Sequence, residues 1–234
     1  MKVQTDKPSL KRFLVFWKGV VVIGAVCMMI ITMPAQSTLG QGRGQTEPLQ
    51  AVVRDDQLVD EEMPVYNIKL DEKWQKLIYY LCKKNNLNYE MVLSFFEFES
   101  EGFNLSLICA NRDSQGRVLS YDYGIAQINS RELEAYRQHA ITYCELDRKV
   151  KFNPLNPDHG IRAGIGGLAF YRDYWKERGI ADEKQLFEYS LNSYNMGADS
   201  YKKYVSYTGS TSRNYNRQIF KRKAILENHW SFGQ

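Results

Sequence analysis

The chain has 234 residues, of which 44% are hydrophobic and 25% are charged, a composition typical of a globular domain with short appendages. The formal net charge is +4, and the first 18 residues account for all of it, with five basic residues against one acidic residue. The remainder is neutral overall, so there is no electrostatic case for a nucleic-acid partner. Aromatic residues are abundant, which suits either a sugar-binding groove or an ordinary core.

The N-terminus predicts a hydrophobic helix behind a basic segment. Residues 1–12 are basic, and the apolar stretch 13–34 is interrupted only by Lys18. As a helix, the 21 residues 13–33 would measure about 31 Å, close to the roughly 30 Å of a bilayer core. It is therefore either a signal peptide or a membrane anchor. We favour the anchor, because Met33-Pro34-Ala35 is a mediocre cleavage site. By the positive-inside rule, residues 1–12 are cytoplasmic and the rest of the protein is extracytoplasmic.

Residues 35–65 are predicted to be a flexible linker, since they are first polar and glycine-rich and then acidic. The folded domain is expected over residues 66–230. Its first helix is predicted at Asp71–Asn85, where apolar residues recur at helical spacing. A second helix is predicted at Tyr89–Ser100, with Asn88 as its N-cap residue.

The rest of the chain predicts further helices around one irregular region. Residues 104–121 are predicted to be irregular, with turn residues at 111–116 that suit a short β-hairpin. Further helices are predicted at about 130–139, 159–178, 182–194, 201–207 and 214–228. Three glycines in the helix at 159–178 disfavour a helix on their own and indicate a closely packed neighbouring helix. The sum is a mainly α domain with a short hairpin.

The carboxyl of Glu99 is the first candidate for chemistry. At helical spacing, Val92, Phe95, Phe96 and Glu99 fall on one face of their helix. A carboxyl on such an apolar face loses contact with water, and desolvation favours its protonated form. A carboxylic acid that keeps its proton near neutral pH is what acid-catalysed cleavage of a glycosidic bond needs.

Three segments in order resemble the lysozyme-like transglycosylases, the family of soluble lytic transglycosylases and goose-type lysozymes. The first is Glu99-Ser100-Glu101-Gly102-Phe103-Asn104, similar to the family's Glu-Ser followed by an aromatic residue and Asn. The second, residues 122–129, reads Asp-Tyr-Gly-Ile-Ala-Gln-Ile-Asn and is similar to its Gly-Leu-Met-Gln-Ile motif. The third, residues 193–197, reads Ser-Tyr-Asn-Met-Gly and is similar to its Ala-Tyr-Asn-x-Gly motif. Residues 156–164 look like a helix start of that family.

Residues 111–131 also resemble animal-type lysozyme, around Asp-Tyr-Gly-Ile-x-Gln-Ile-Asn-Ser-Arg. Those enzymes pair an acid glutamate with a second carboxylate from this segment. Tyr194-Asn195-x-Gly197 has no counterpart in them, and this decides the resemblance in favour of the transglycosylases.

The transglycosylase resemblance implies a lysozyme-like fold and a function. The family cleaves the bond from N-acetylmuramic acid to N-acetylglucosamine in peptidoglycan and leaves a 1,6-anhydro sugar. Carried over by motif, Glu99 would be the general acid and then the base, and Gly124 would let the backbone approach the sugar closely. The residues expected to bind substrate are Ser100, Gly124, Gln127, Ile128, Asn129, Tyr194, Asn195 and Tyr215.

Three alternatives stay open at this stage. Glu101 is a rival acid, because one extra residue separates Glu99-Ser100 from Phe103-Asn104. Asp122 is a candidate second carboxylate, which would make the enzyme a muramidase that uses water. The third alternative is a non-catalytic wall-binding subunit of a secretion or conjugation apparatus that spans the envelope, and such an apparatus is also a candidate partner for an active enzyme.

No cofactor is indicated by the remaining residue types. The three histidines of the chain have no metal-ligand spacing, so we expect no metal site and no cofactor. Beyond the apolar stretch there are three cysteines, Cys82, Cys109 and Cys144, without a Cys-x-x-Cys pair. We favour three isolated, buried thiols over one disulfide with one thiol left over.

Overall fold

The computed structural model describes residues 63–231, and within them the protein is mainly helical with a small three-stranded antiparallel sheet. The helices are α1 (Glu72–Lys84), α2 (Tyr89–Glu99), α3 (Leu133–Cys144), α4 (Pro157–Lys176), α5 (Glu183–Met196), α6 (Ala198–Thr208) and α7 (Asn214–Ser231). The strands are β1 (Ile108–Arg112), β2 (Val118–Tyr123) and β3 (Ile128–Asn129).

The expected basic segment 1–12, the apolar stretch 13–34 and all but the last three residues of the linker 35–65 lie outside the described residues. In the described range, no helix is both long and apolar enough to cross a membrane.

Helix α2 forms the centre of the domain. Its first turn is capped as predicted, since the side-chain oxygen of Asn88 accepts a hydrogen bond from the Met91 amide at 2.9 Å. All residues from Val92 to Phe96 are fully buried. A helix that is buried all round must be enclosed by other elements. Here α1 and α7 pack against it, so its C-terminal residue is held in a fixed place.

The predicted hairpin is confirmed, but the sheet is larger than expected. Strands β1 and β2 pair antiparallel around a turn at 113–117, with Cys109 opposite Asp122. The prediction that 104–121 is irregular is therefore wrong for both strands. Half of the side chains of β2 are exposed, two of them at its first two positions, so the strand lacks the alternation of burial that would have identified it. Strand β3 was not predicted, because its two residues are defined only by pairing with β2.

Helix α3 is longer than predicted and α4 is close to its predicted position. The helix expected at 130–139 runs to Cys144 and ends where Glu145 adopts a left-handed conformation, with φ of 58°. A non-glycine residue in that role gives no stop signal in the sequence. Helix α4 begins at Pro157 after the Asn156 cap, and proline suits this first helical position.

The glycines of α4 face tightly packed neighbours, as predicted. A Cβ atom on Gly164 would lie 2.8 Å from both the Ala126 Cβ and the Phe96 ring. A Cβ atom on Gly166 would lie 2.6 Å from the carbonyl oxygen of His139 in α3. Both distances are too short for a real side chain. Helix α4 therefore brings α2, α3 and the turn that contains Ala126 together.

The cysteines match the prediction in part. Cys82 and Cys144 are buried, free thiols. The prediction of a buried thiol is wrong for Cys109, which is half-buried on β1. Successive side chains of a strand point to opposite faces, and Cys109 shares its face with Asp122 in a partly open part of the sheet.

Replacing Gly166 with alanine tests the close packing of α3 and α4. We expect Gly166→Ala to lower the free energy of unfolding by about 1–3 kcal/mol, because the atoms it meets are backbone atoms that cannot rotate away. The loss would outweigh the gain of about 1 kcal/mol in helix propensity. Urea denaturation measures this change in the free energy of unfolding. Lys176→Ala, an exposed change in the same helix, is the control and should change stability by less than about 0.5 kcal/mol. Equal stability of both variants would contradict the packing.

Candidate active site

Glu99 is the last residue of α2 and lies where the buried part of the helix meets a more open surface. Its side chain is half-buried, while Phe95 and Phe96 in the preceding turn are fully buried. The helix ends at Ser100, whose amide and hydroxyl both donate to the carbonyl oxygen of Phe96, the hydroxyl at 2.6 Å. The carboxyl group is thus placed by a helix end that is itself tied down.

Tyr215, in the first turn of α7, contacts Glu99 directly. Its hydroxyl donates a hydrogen bond to Oε1 of the carboxyl group. The ring is buried and meets the edge of Phe98, with ring centres 5.3 Å apart. Because α7 packs along α2, this contact is part of the domain's core packing.

The environment of Glu99 changes its acidity. Burial raises the pKa of its carboxyl group to about 7, against a partial lowering by the Tyr215 hydrogen bond and with a further increase from the negative charge of Asp122. The side chain keeps some access to solvent, but desolvation by the surrounding protein is the largest effect. Near neutral pH, both the protonated and the ionised form are therefore populated, which suits a group that donates a proton and then takes one back.

Asp122 is held by amide groups from both neighbouring strands. Its Oδ2 accepts from Asn111 Nδ2 of β1 at 2.8 Å, and its Oδ1 accepts from Asn129 Nδ2 of β3 at 2.7 Å. The same two amide groups also donate to the hydroxyl of Ser120. Both carboxylate oxygens are thus engaged, and the orientation of Asp122 is fixed by the sheet.

The second motif, residues 122–129, contains a compact turn. The structure shows contacts within the protein for residues that were expected to bind substrate. Gly124 has φ of 67°, and a Cβ atom there would lie 2.3 Å from the carbonyl oxygen of Pro154. The close approach that requires glycine is therefore to this chain rather than to a sugar. Gln127 donates to the Gly124 carbonyl at 2.8 Å. Ile128 is fully buried, so its side chain belongs to the core and is not exposed at the surface.

The third motif is joined to the second. The Tyr194 hydroxyl donates to the Ala126 carbonyl at 2.8 Å, and its ring packs edge-on against Phe95 at 4.8 Å. Asn195 is exposed, and its Oδ1 accepts from Nη1 of Arg213 at 2.9 Å. Tyr194 thus fixes the position of the turn beside α2, while Asn195 remains accessible at the surface.

The structure separates Glu99 from its neighbours in the first motif. Ser100 was expected to bind substrate, but it has no exposed surface and its hydroxyl is used to close α2. Glu101 is exposed beyond the helix end, in a left-handed conformation with φ of 52°. Tyr215 contacts Glu99 and not Glu101, so the geometry favours Glu99 as the acid.

Two residues of this region escaped the sequence analysis. Asn111 holds Asp122 through strand pairing, which one sequence cannot reveal. Arg213 holds Asn195, and the only available signal was its position two residues before Tyr215. Asn129, which was expected to bind substrate, holds Asp122 instead through its Nδ2 group.

A separate cavity of about 410 Å³ lies away from Glu99, between Met91 of α2, Phe187 of α5 and Phe220 of α7. Met91 and Glu99 are eight residues apart in one helix, about 12 Å along its axis. We place the candidate site at Glu99 because the carboxyl group with the raised pKa is there. In residues 63–231, no group of three or more His, Cys, Asp or Glu side chains is arranged to hold a metal ion.

Comparison with known proteins assigns no family to this geometry. No protein-family model matches the chain, and no curated protein matches it in a sequence search. A functional conclusion therefore depends on the arrangement of Glu99, Asp122 and Tyr215, together with the resemblance of the three motifs.

Removing the Tyr215 hydroxyl tests the balance that sets the acidity of Glu99. In Tyr215→Phe the carboxylate loses a donor that stabilises its charged form, so the pKa of Glu99 should rise above its present value of about 7. Carbon NMR of the labelled carboxyl group across the pH range measures it. Tyr207→Phe, which removes a hydroxyl from an exposed ring in α6, is the matched control and should leave the titration unchanged. A fall in the Glu99 pKa in Tyr215→Phe would contradict the assigned contact.

Proposed function

We propose that the protein is a peptidoglycan lytic transglycosylase with a lysozyme-like catalytic domain. The observation that carries this proposal is the half-buried Glu99. Its pKa is raised to about 7, and its carboxyl group accepts a hydrogen bond from the Tyr215 hydroxyl. The resemblance of the three motifs adds the substrate class. The substrate is the glycan strand of the cell wall, cleaved between N-acetylmuramic acid and N-acetylglucosamine.

The first step uses Glu99 as an acid. Its proton passes to the glycosidic oxygen as the bond from that oxygen to C1 of the muramic sugar breaks, and the bonding electrons stay with the leaving oxygen. The carbonyl oxygen of the muramic sugar's own N-acetyl group attacks C1 from the opposite face. Glu99 is now ionised, and the Tyr215 hydrogen bond stabilises that charge.

The second step uses Glu99 as a base. The ionised carboxylate removes the proton from the C6 hydroxyl of the muramic sugar, and the C6 oxygen displaces the N-acetyl oxygen at C1. The product is a 1,6-anhydro sugar, and Glu99 regains its proton. A pKa near 7 lets the same group perform both transfers without a large free-energy cost in either direction.

Hydrolysis by a muramidase is the second candidate, and Asp122 is the reason to keep it. Its charge acts on Glu99 and raises the pKa of that carboxyl group. In this route Asp122 would attack C1 or stabilise the cationic sugar, and water would complete the reaction. Both Asp122 oxygens already accept hydrogen bonds from Asn111 and Asn129, which disfavours nucleophilic attack by Asp122 and leaves it an electrostatic role.

The proposed substrate sets the proposed location. Peptidoglycan lies outside the cytoplasmic membrane, so the catalytic domain would act there, either secreted or tethered by the N-terminal apolar stretch 13–34. An envelope-spanning secretion or conjugation machine is a fitting partner, because such a machine must open the wall locally. A protein that binds the wall without cleaving it is the remaining alternative.

Replacing the two candidate acids separately tests the proposed role of Glu99. We expect Glu99→Gln to reduce the release of soluble fragments from purified peptidoglycan by at least about 100-fold, because the amide cannot donate the proton. Glu101→Gln is the matched control, since it makes the same change two residues away at an exposed position, and it should retain near-normal activity. Circular dichroism checks that both variants fold. Loss of activity only in Glu101→Gln would show that the acid is wrongly assigned.

The chemical form of the released products tests the reaction type. Mass spectrometry of digested peptidoglycan should show fragments that end in 1,6-anhydro-muramic acid, which are 18 mass units lighter than the hydrolysis products because no water is added. Asp122→Asn should keep this product type. Reducing ends in place of anhydro ends would support the muramidase. Binding to the wall without any released fragment would support the non-catalytic alternative.

A further inference from the structure

The cavity of about 410 Å³ is lined by buried apolar residues and by exposed charged ones. Met91 of α2 and Phe187 of α5 are each 7% exposed, and with the half-buried Phe220 of α7 they form its apolar part. Glu183 and Lys184, in the first turn of α5, line it at the surface. A cavity of this size that is apolar inside and charged at its mouth is typical of a site for a small ligand.

Arg172 of α4 brings a positive charge to the cavity at a buried position. The residue is 8% exposed, and its Nη2 group donates to both carboxylate oxygens of Glu183 at 2.9 Å. A guanidinium group also has N–H donors on Nε and Nη1. No hydrogen bond among residues 63–231 uses either of these two groups. Because the Glu183 side chain is largely exposed, solvent screens its charge, and the buried arginine keeps donors that are available to a ligand.

The charges that line the cavity leave one positive charge without a partner. Arg172 pairs with Glu183, and Lys223 of α7 pairs with Glu227 one turn later. In the part of the chain that the structure describes, Lys184 has no ion pair and no hydrogen bond from its side chain. It lies at the N-terminal end of α5, where the helix dipole is itself positive. A ligand with a single negative charge would therefore balance the charges of the cavity.

An anion that is attached to an apolar group matches both parts of the cavity. Arginine binds carboxylates and phosphates through N–H groups that lie in one plane, and lysine adds a charge without a fixed geometry. Phenylalanine rings bind an aliphatic or aromatic group, and a methionine side chain adapts to its shape. The single unpaired charge favours a carboxylate over a phosphate monoester, which carries nearly two negative charges at neutral pH.

We propose that this cavity is a binding site for a carboxylate that bears a large apolar group. Arg172 and Lys184 bind the carboxylate, and the apolar group lies between Met91, Phe187 and Phe220. The C-terminal residue of a polypeptide and a fatty acid share this chemistry. Along α2 the cavity lies about 12 Å from Glu99, so the site is separate from the candidate active site, and the inference does not depend on the proposed function.

Isothermal titration of the full chain in a neutral detergent tests the ligand chemistry. The first probe is N-acetylphenylalanine, which ends like a polypeptide, and the second is hexanoate, a short fatty acid. We expect both acids to bind, and acetate, which lacks the apolar group, to bind at least about tenfold more weakly. N-acetylphenylalanine amide keeps the ring but has no charge, and it should also bind at least about tenfold more weakly than the acid. Tighter binding of one acid identifies the source of the ligand.

Substitutions in the cavity test where the probes bind. Lys184→Ala removes an exposed positive charge and should weaken the binding of N-acetylphenylalanine by about threefold to tenfold. Lys221→Ala, at an exposed position of α7 outside the cavity, is the matched control and should leave binding unchanged. Arg172→Lys keeps the charge but loses the planar set of donors, so we expect binding to weaken by at least about tenfold. Circular dichroism checks that Arg172→Lys folds, and the exposed Lys184→Ala gives an independent test.

Three results would overturn the inference. The first is that neither acid binds at millimolar concentration. The second is equal affinity for N-acetylphenylalanine and its amide, which would show that the carboxylate is not recognised. The third is unchanged binding in Lys184→Ala together with unchanged binding in a folded Arg172→Lys, which would place the ligand elsewhere. Glu99→Gln should bind the probes as the unaltered protein does, so a failure of this inference is distinguishable from a failure of the proposed function.

Discussion

The hydrogen bond from Tyr215 to Glu99 is the contact on which the candidate site depends. It joins residues that are 116 positions apart, so it forms only when α7 has packed along α2. The hydrogen bond and the burial that accompanies it have opposite effects on the pKa of the Glu99 carboxyl group. Burial and the charge of Asp122 raise the pKa, the tyrosine lowers it, and the balance stands at about 7. A fully exposed carboxyl group would be ionised at neutral pH, and a buried one without a hydrogen-bond donor would hold its proton more tightly.

Close packing at α4 explains why the turn with the second motif can serve this site. Gly164 leaves no space for a side chain between α4, the Phe96 ring and Ala126, so the turn lies directly beside the last part of α2. Tyr194 fixes the turn from the other side through the Ala126 carbonyl. Several motif residues thus make contacts within the protein that determine where the turn lies. Most of them have no direct contact with Glu99.

The sequence predicted the long, periodic helices well, because a wide apolar face in α1 or α2 reflects burial directly. It failed where structure depends on distant pairing or on a weak stop signal, as in β3 and the end of α3. For the site, the face of α2 distinguished Glu99 from its neighbours. The motifs did not distinguish exposed residues from buried ones. Ser100 and Ile128 were therefore expected to bind substrate, although both are buried. Arg213 was missed because its role requires knowing that α5 ends beside it.

The two carboxyl groups of the site are prepared in different ways, and this difference bears on mechanism. Glu99 has one hydrogen-bond donor, a tyrosine hydroxyl, and a pKa raised mainly by burial, so it can exchange a proton near neutral pH. Asp122 has an amide donor on each oxygen, from Asn111 and Asn129, so the sheet fixes the orientation of its carboxyl group. The negative charge of Asp122 raises the pKa of Glu99, and in the proposed reaction it would favour a proton on Glu99 at the start and a cationic sugar afterwards. We therefore propose an electrostatic role for Asp122 in either candidate reaction and assign both proposed proton transfers to Glu99.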